Sequence, residues 1–183
     1  MLKQLSLAIK IPESTKQLIV QKLQPLKREY EVFQWLPTEE YNIELFNFGK
    51  VDDSKIEALC EMIERGIYNL PAFQIFSDRL HILMRNNITF YVGFNTSKPM
   101  QALIKELKQS FKIEDNLIFF PHLPVARHKI GSKQQYLLIK KKCSSYELEF
   151  EVGITQITLL NSVIENNKLH YETVKEFALY SKN

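Results

Sequence analysis

A two-lobed α+β fold is what this sequence predicts, and three observations carry it. Short runs alternate apolar with polar residues, other runs repeat apolar residues at helical spacing, and one layout occurs twice. SLAIKIPESTKQLIVQKLQPL and TFYVGFNTSKPMQALIKELKQSF each lead from an alternating strand, through a polar turn holding Ser or Thr and Pro, into an amphipathic helix. After each comes a strand with a polar pair two residues apart, Asn42 and Glu44 in the first copy, His122 and Pro124 in the second. The separations agree closely, Leu5 to Asn42 against Ile88 to His122. Two facing lobes in a pseudo-twofold repeat are therefore expected, with Asn42 and His122 at corresponding places. With 183 residues, 45% of them hydrophobic, the chain can bury a real core and is expected to form a single two-lobed domain over 1–183.

The elements follow in order. Leu5 to Ile11 alternates as a strand, and Pro12 ends it where a helix over Ser14 to Arg28 begins, with Leu18, Ile19, Leu23 and Leu26 as its apolar stripe. Val32 to Leu36 and Tyr41 to Phe48 read as strands, the second closed by a turn at Gly49. Asp52 and Asp53 complement the N-terminus of a helix in which Ile56, Leu59, Cys60 and Ile63 recur at helical spacing. Ala72 to Asn95 reads as consecutive strands interrupted at Asp78 and at Asn86-Asn87, whose side chains tolerate the left-handed backbone of tight turns. A helix over Pro99 to Phe111 follows, then strands over Phe119 to Arg127, Thr155 to Leu160 and Tyr171 to Leu179. Gln134 to Lys142 fits either a strand or a short helix.

Several classes of function are excluded by what the chain lacks. No stretch approaches the roughly 18 apolar residues of a membrane span, and the first residues alternate instead of forming the apolar run of a signal peptide. Cys60 and Cys143 stand far apart and outside CxxC spacing, against a disulfide framework or a cysteine zinc site. A reducing, cytoplasmic location is expected, with no membrane partner. No phosphate-binding glycine loop, dinucleotide fingerprint, nucleophile elbow or zinc motif is present, so no cofactor and no metal are expected. His81, His128 and His170 have no metal-ligand spacing and read as packing or surface residues. The net charge of +3 is too small to mark a nucleic-acid binder, but it is unevenly placed. Arg127, Lys129, Lys133, Lys140, Lys141 and Lys142 fall in one stretch without an acid, leaving the rest of the chain net acidic. That stretch is either a solvated lysine-rich surface or the place where an anionic partner approaches.

The motif strands carry a resemblance. Trp35-Leu36-Pro37-Thr38-Glu39-Glu40-Tyr41-Asn42-Ile43-Glu44 leads through a proline turn into a strand, with Gly49 after it. Pro121-His122-Leu123-Pro124-Val125-Ala126-Arg127 forms a second, matching segment. Together with the closing ITQITLLNSVIENNKLHYETVKEFAL, these resemble the two-histidine phosphoesterase superfamily in its 2′-5′ RNA ligase and RNA 2′,3′-cyclic phosphodiesterase (LigT-like) branch, along nearly the whole chain. The resemblance implies two facing antiparallel sheets with helices outside and the motif strands lining a cleft.

In that branch each motif strand carries His-x-Thr, and the chemistry follows from the strand. Residues two apart point to the same side, so each motif delivers an imidazole and a hydroxyl into one cleft. One histidine takes a proton from the attacking water or ribose hydroxyl, the other gives one to the departing oxygen, and the hydroxyls bond the phosphoryl oxygens. This sequence departs at three of the four positions. Asn42 replaces the first histidine and cannot shuttle protons. Glu44 replaces the first threonine, and a carboxylate about 4 Å from a phosphate charge is repelled by about 4 kcal/mol at an effective dielectric near 20, before screening. Pro124 replaces the second threonine, removing a hydroxyl and a backbone N–H, and points to a strand edge or a bulge. His122 and Arg127 remain, with Arg127 and Lys129 as candidate phosphate ligands.

Three readings stand. The first is a phosphodiesterase or RNA-end ligase with a rearranged site in which Glu44 is the base and His122 the acid. The second is a protein that binds RNA ends or nucleotides with weak or absent turnover. The third is a lobe fold used for protein contacts. Loss of both hydroxyls and one proton-transfer group favours the last two, and fold alone cannot choose because function resides in the site.

Overall fold

The structure, a computed structural model, describes residues 1–84, 87–129, 132–166 and 168–180. Strand β1 (Leu2–Lys10) is followed by helix α1 (Glu13–Glu29), the short strand β2 (Gln34–Trp35), strand β3 (Asn42–Asp52) and helix α2 (Ile56–Ile67). Then come β4 (Phe73–Met84), β5 (Asn87–Phe94), α3 (Lys98–Ser110), β6 (His122–Lys129), α4 (Lys133–Ser144), β7 (Glu151–Ile154), β8 (Gln156–Glu165) and β9 (Lys168–Ala178). The strands form two sheets, in the orders β3-β1-β8-β9 and β2-β6-β5-β4-β7, and every pairing within them is antiparallel.

The repeat predicts how these sheets are built. Each copy pairs its first strand with its motif strand, β1 with β3 and β5 with β6, and each motif residue is the first of its strand. Asn42 lies opposite Lys10, and His122 lies opposite Gly93. The helix of each copy carries aromatic residues across to the other sheet. Phe111, at the end of α3, meets Phe46 and Phe48 of β3 edge-on at 5.1 and 5.3 Å. Tyr30 and Phe33, after α1, pack on Phe90 of β5 at 5.9 and 4.7 Å. These crossings tie the lobes together through rings that are buried at Phe33 and Phe90 and half-buried at Tyr30, Phe46, Phe48 and Phe111, side chains with a large apolar surface to withdraw from water.

Several elements differ from their sequence-based expectation, each for a local reason. Gly49 does not end its strand. It sits inside β3 at φ +66°, where a register shift against β1 makes a bulge, and its N–H is satisfied by Asn47 Oδ1 at 2.9 Å. The strand expected over Val32 to Leu36 shrinks to Gln34–Trp35, because Phe33 turns inward to stack on Phe90. The strand expected from Phe119 begins at His122, after Pro121. Gln134 to Lys142 resolves as helix: α4 opens with Ser132, whose hydroxyl accepts from the Gln135 N–H at 3.2 Å, and buries Ile139 and Cys143. β7 was not anticipated; it completes the edge beyond β4. The turn expected at Asn86-Asn87 lies partly outside the described residues.

Candidate functional site

Pleating and one bulge decide which side chains of the second sheet share a face. Tyr91 of β5 pairs with Pro124 but Phe90 pairs with Ala126, so Val125 is the extra residue on β6. A proline fits there because β2 covers β6 only at Ala126 and Arg127, leaving no partner strand beyond Pro124 on that side. As a result His122, Pro124, Arg127 and Lys129 share one face with Thr89, Tyr91 and Gly93 of β5, while Leu123, Ala126 and His128 turn to the other. The motif strands β3 and β6 lie close together, at the seam between the sheets.

On this face His122 opens a cavity of about 500 Å³ whose walls include Asp78, His81, Tyr91, Gly93 and Phe120. His122 is exposed, and its Nδ1 lies 3.0 Å from the Phe120 carbonyl oxygen, which fixes that nitrogen as the N–H and leaves Nε2 free. The Tyr91 ring stands between two imidazoles, stacked on His81 at 5.4 Å and edge-on to His122 at 5.5 Å. His81 Nε2 lies 3.3 Å from Asp78 Oδ1. That carboxylate also accepts the Arg79 N–H at 2.6 Å. Burial raises the Tyr91 phenol above its ordinary pKa, and the charge of Asp78 adds to the effect. Phe120, 66% exposed, forms part of the cavity wall.

The pair formed by Asp78 and His81 was not visible in the sequence, where His81 reads as packing or surface. One signal was available. Gly93 interrupts the apolar strand FYVGF, and a lone glycine in a strand marks close approach of another group. Here a Cβ on Gly93 would lie 2.5 Å from His81 Cδ2, 2.7 Å from His81 Nε2 and 3.1 Å from Asp78 Oδ1. The glycine is what lets the imidazole lie over the strand.

The first lobe presents different chemistry. The Asn42 amide donates to the Glu40 carbonyl oxygen at 3.2 Å, and the Tyr171 phenol is raised by burial, with the Asn42 amide opposing that shift. Glu44 is exposed and accepts from Asn47 Nδ2 at 3.2 Å. Arg127 lines a second open cavity, of about 840 Å³, with Glu39, Glu40, Lys168 and His170. Burial raises the Glu40 carboxyl, and the Arg127 charge acts against that shift.

The candidate residues are thus distributed along one seam. His122 lies at one cavity, Arg127 at another, and Asn42 beside Tyr171. The cationic stretch divides in the same way. Arg127 and Lys129 share the face of His122, whereas α4 packs on β4 and its Lys142 pairs with Glu29 at the end of α1. His128 stacks on Phe33 at 4.3 Å, a packing role. No group of three or more metal-ligating side chains occurs among the described residues, and no described helix is long and apolar enough to cross a membrane.

Two antiparallel sheets whose motif strands lie close together, with four helices, match the fold of LigT. The likeness is to particular solved structures. Escherichia coli LigT in its apo form superposes with a TM-score of 0.75 at 19% identity, over 97% of this chain and 98% of that one. LigT complexed with 3′-AMP gives 0.77 at 18% identity over 98% and 99%. TT0787 of Thermus thermophilus gives 0.69 at 14% identity over 98% and 100%. No family model and no curated protein sequence matches the chain.

Proposed function

We propose that this protein binds a nucleotide or RNA end through its phosphate, in the cavity that His122 opens, and that its first-lobe motif no longer transfers protons. The observation that carries this reading is the state of His122. It keeps its place at the start of a motif strand, its Nδ1 is held by a backbone carbonyl, and its free Nε2 belongs to a cavity large enough for a nucleotide-sized ligand. The exposed Phe120 ring offers an apolar face for a base, the contact by which proteins hold nucleobases without reading sequence. LigT, with the same fold, has been crystallised with 3′-AMP, phosphate and ATP.

Across the seam, Asn42 and Glu44 are engaged by neighbours and offer an amide and a carboxylate where the family offers an imidazole and a hydroxyl. An amide does not titrate near neutrality, and a carboxylate repels an approaching phosphate. Arg127 and Lys129, on the face of His122, supply cations farther along the strand for a longer, polyanionic ligand. Two unpaired, buried thiols fit a reducing cytoplasm.

Isothermal titration of 3′-AMP into the wild type and into His122→Ala tests the reading. Saturable binding weakened at least about tenfold by the substitution is expected, the order of one lost charge-assisted hydrogen bond. Equal affinity in both proteins would refute it.

A further inference from the structure

The repeat places an imidazole on one motif strand only, yet the cavity at His122 holds two. We propose that His81, oriented by Asp78, is the second proton-transfer group of this cavity, so that His81 and His122 together open a 2′,3′-cyclic phosphate within the second lobe. The proposal rests on the nucleotide-binding reading above and adds catalysis to it.

Three features of the geometry point to this role. Each imidazole has one nitrogen held by an acceptor, His81 Nε2 by the Asp78 carboxylate at 3.3 Å and His122 Nδ1 by the Phe120 carbonyl at 3.0 Å. The other nitrogens, Nδ1 of His81 and Nε2 of His122, have no hydrogen-bond partner among the described residues. Both rings flank Tyr91 on the same wall. Space has also been cleared for one of them. Gly93 stands directly opposite His122, and any side chain there would collide with the His81 ring.

The carboxylate settles which ring is the base. Asp78 holds the His81 tautomer and stabilises the imidazolium formed when His81 accepts a proton. In the step proposed, the oxygen of a water molecule bonds to phosphorus and its proton passes to His81 Nδ1. One P–O ester bond of the five-membered ring breaks, and the departing ribose oxygen takes a proton from Nε2 of protonated His122. The product is a ribose hydroxyl beside a phosphate monoester, and solvent returns each imidazole to its starting state. Neither a metal nor a redox partner is required. Asp78 acts through His81 and is a positioning residue.

The test is hydrolysis of adenosine 2′,3′-cyclic phosphate by the full chain under single-turnover conditions, with 3′-AMP affinity measured on the same proteins. Wild type is expected to turn over. His81→Gln and His122→Gln should each lower the rate by about 10²- to 10⁴-fold, with the double variant little worse than either single one. Asp78→Asn should lower the maximal single-turnover rate much more than it raises the protein concentration needed for half of that rate. Gly93→Ala keeps both histidines but drives a methyl into the His81 ring, and should lose rate, with circular dichroism and thermal unfolding reporting that the variant is folded. A wild type that binds 3′-AMP but shows no turnover, or turnover indifferent to His81→Gln, overturns the catalytic proposal and leaves the binding reading standing. A wild type that binds no nucleotide overturns both.

Discussion

Opposite each motif residue the two lobes differ by one side chain, and much follows from it. Across from Asn42 stands Lys10, whose ammonium donates to Thr173 Oγ1 at 2.7 Å and to Glu176 Oε1 at 3.3 Å. Across from His122 stands Gly93, with no side chain, and the pair formed by Asp78 and His81 occupies the space. In the first lobe the motif position lies beside a lysine tied to its own sheet, and its asparagine bonds the preceding turn. In the second it is opened by a glycine. Two copies of one β-α-β layout thus differ chemically at matching positions while keeping the same strand pairing. On the reading proposed above, what lies across the strand from the motif matters more than the motif itself.

The largest effect expected is a transfer of chemistry back to the seam. In a His81→Gln background, the combined changes Asn42→His, Glu44→Thr and Pro124→Thr restore an imidazole and two hydroxyls and remove a repulsive carboxylate. The cyclic phosphodiesterase rate should rise by about 10²- to 10⁴-fold, the contribution of one positioned proton-transfer group. A folded variant that stays at the level of His81→Gln alone would show that the first lobe has been remodelled beyond its motif residues.

Next in size is a difference in how the two sheets depend on their rings. Phe90 is fully buried behind the second sheet among Tyr30, Phe33 and Trp35, so Phe90→Ala should cost about 3–5 kcal/mol in denaturant unfolding. Phe46, only half-buried against Phe111, should cost about 1–2 kcal/mol when truncated. Equal losses would mean that the rings crossing between the lobes are equivalent, contrary to their burial.

How much of this was legible in the sequence follows from the same comparison. The repeat was, because it is written in local alternation and helical spacing. It placed Asn42 and His122 at equivalent positions, and both turned out to begin their strands. The bulge at Pro124 was also foreshadowed, since proline removes a ladder donor. What stayed hidden depends on cross-strand register. Asp78 and His81 gain their meaning from Gly93 on the neighbouring strand, and Gly49 became a bulge instead of a turn because β1 continues beside it. The lysine-rich stretch looked continuous along the chain. It divides in space because the strand holding Arg127 and Lys129 and the helix holding Lys140 to Lys142 serve different faces of the molecule.

The outer helices offer a milder comparison through their thiols. Burial pushes the Cys143 thiol on α4 up to about 12, with the Lys142 charge opposing, and burial also raises Cys60 on α2, with Lys175 opposing. A raised thiol pKa leaves less of the reactive thiolate at pH 8. Both should therefore react far more slowly with an aromatic disulfide reagent in the folded protein than after denaturation, with Cys60, the more accessible, leading Cys143. Immediate modification of Cys143 in the native state would contradict its packing. The smallest effect belongs to Lys10. Its contacts are exposed, so Lys10→Ala should change stability by about 0.2–1 kcal/mol, and less at high salt.

The most direct test is to follow the imidazole resonances of all four histidines by NMR while adding 3′-AMP. His81 and His122 should shift together with one saturation curve, while His128, stacked on Phe33, and His170, at the cavity of Arg127, stay in place. Shifts confined to His170, or a His122 response that leaves His81 unmoved, would contradict a two-imidazole site within the second lobe.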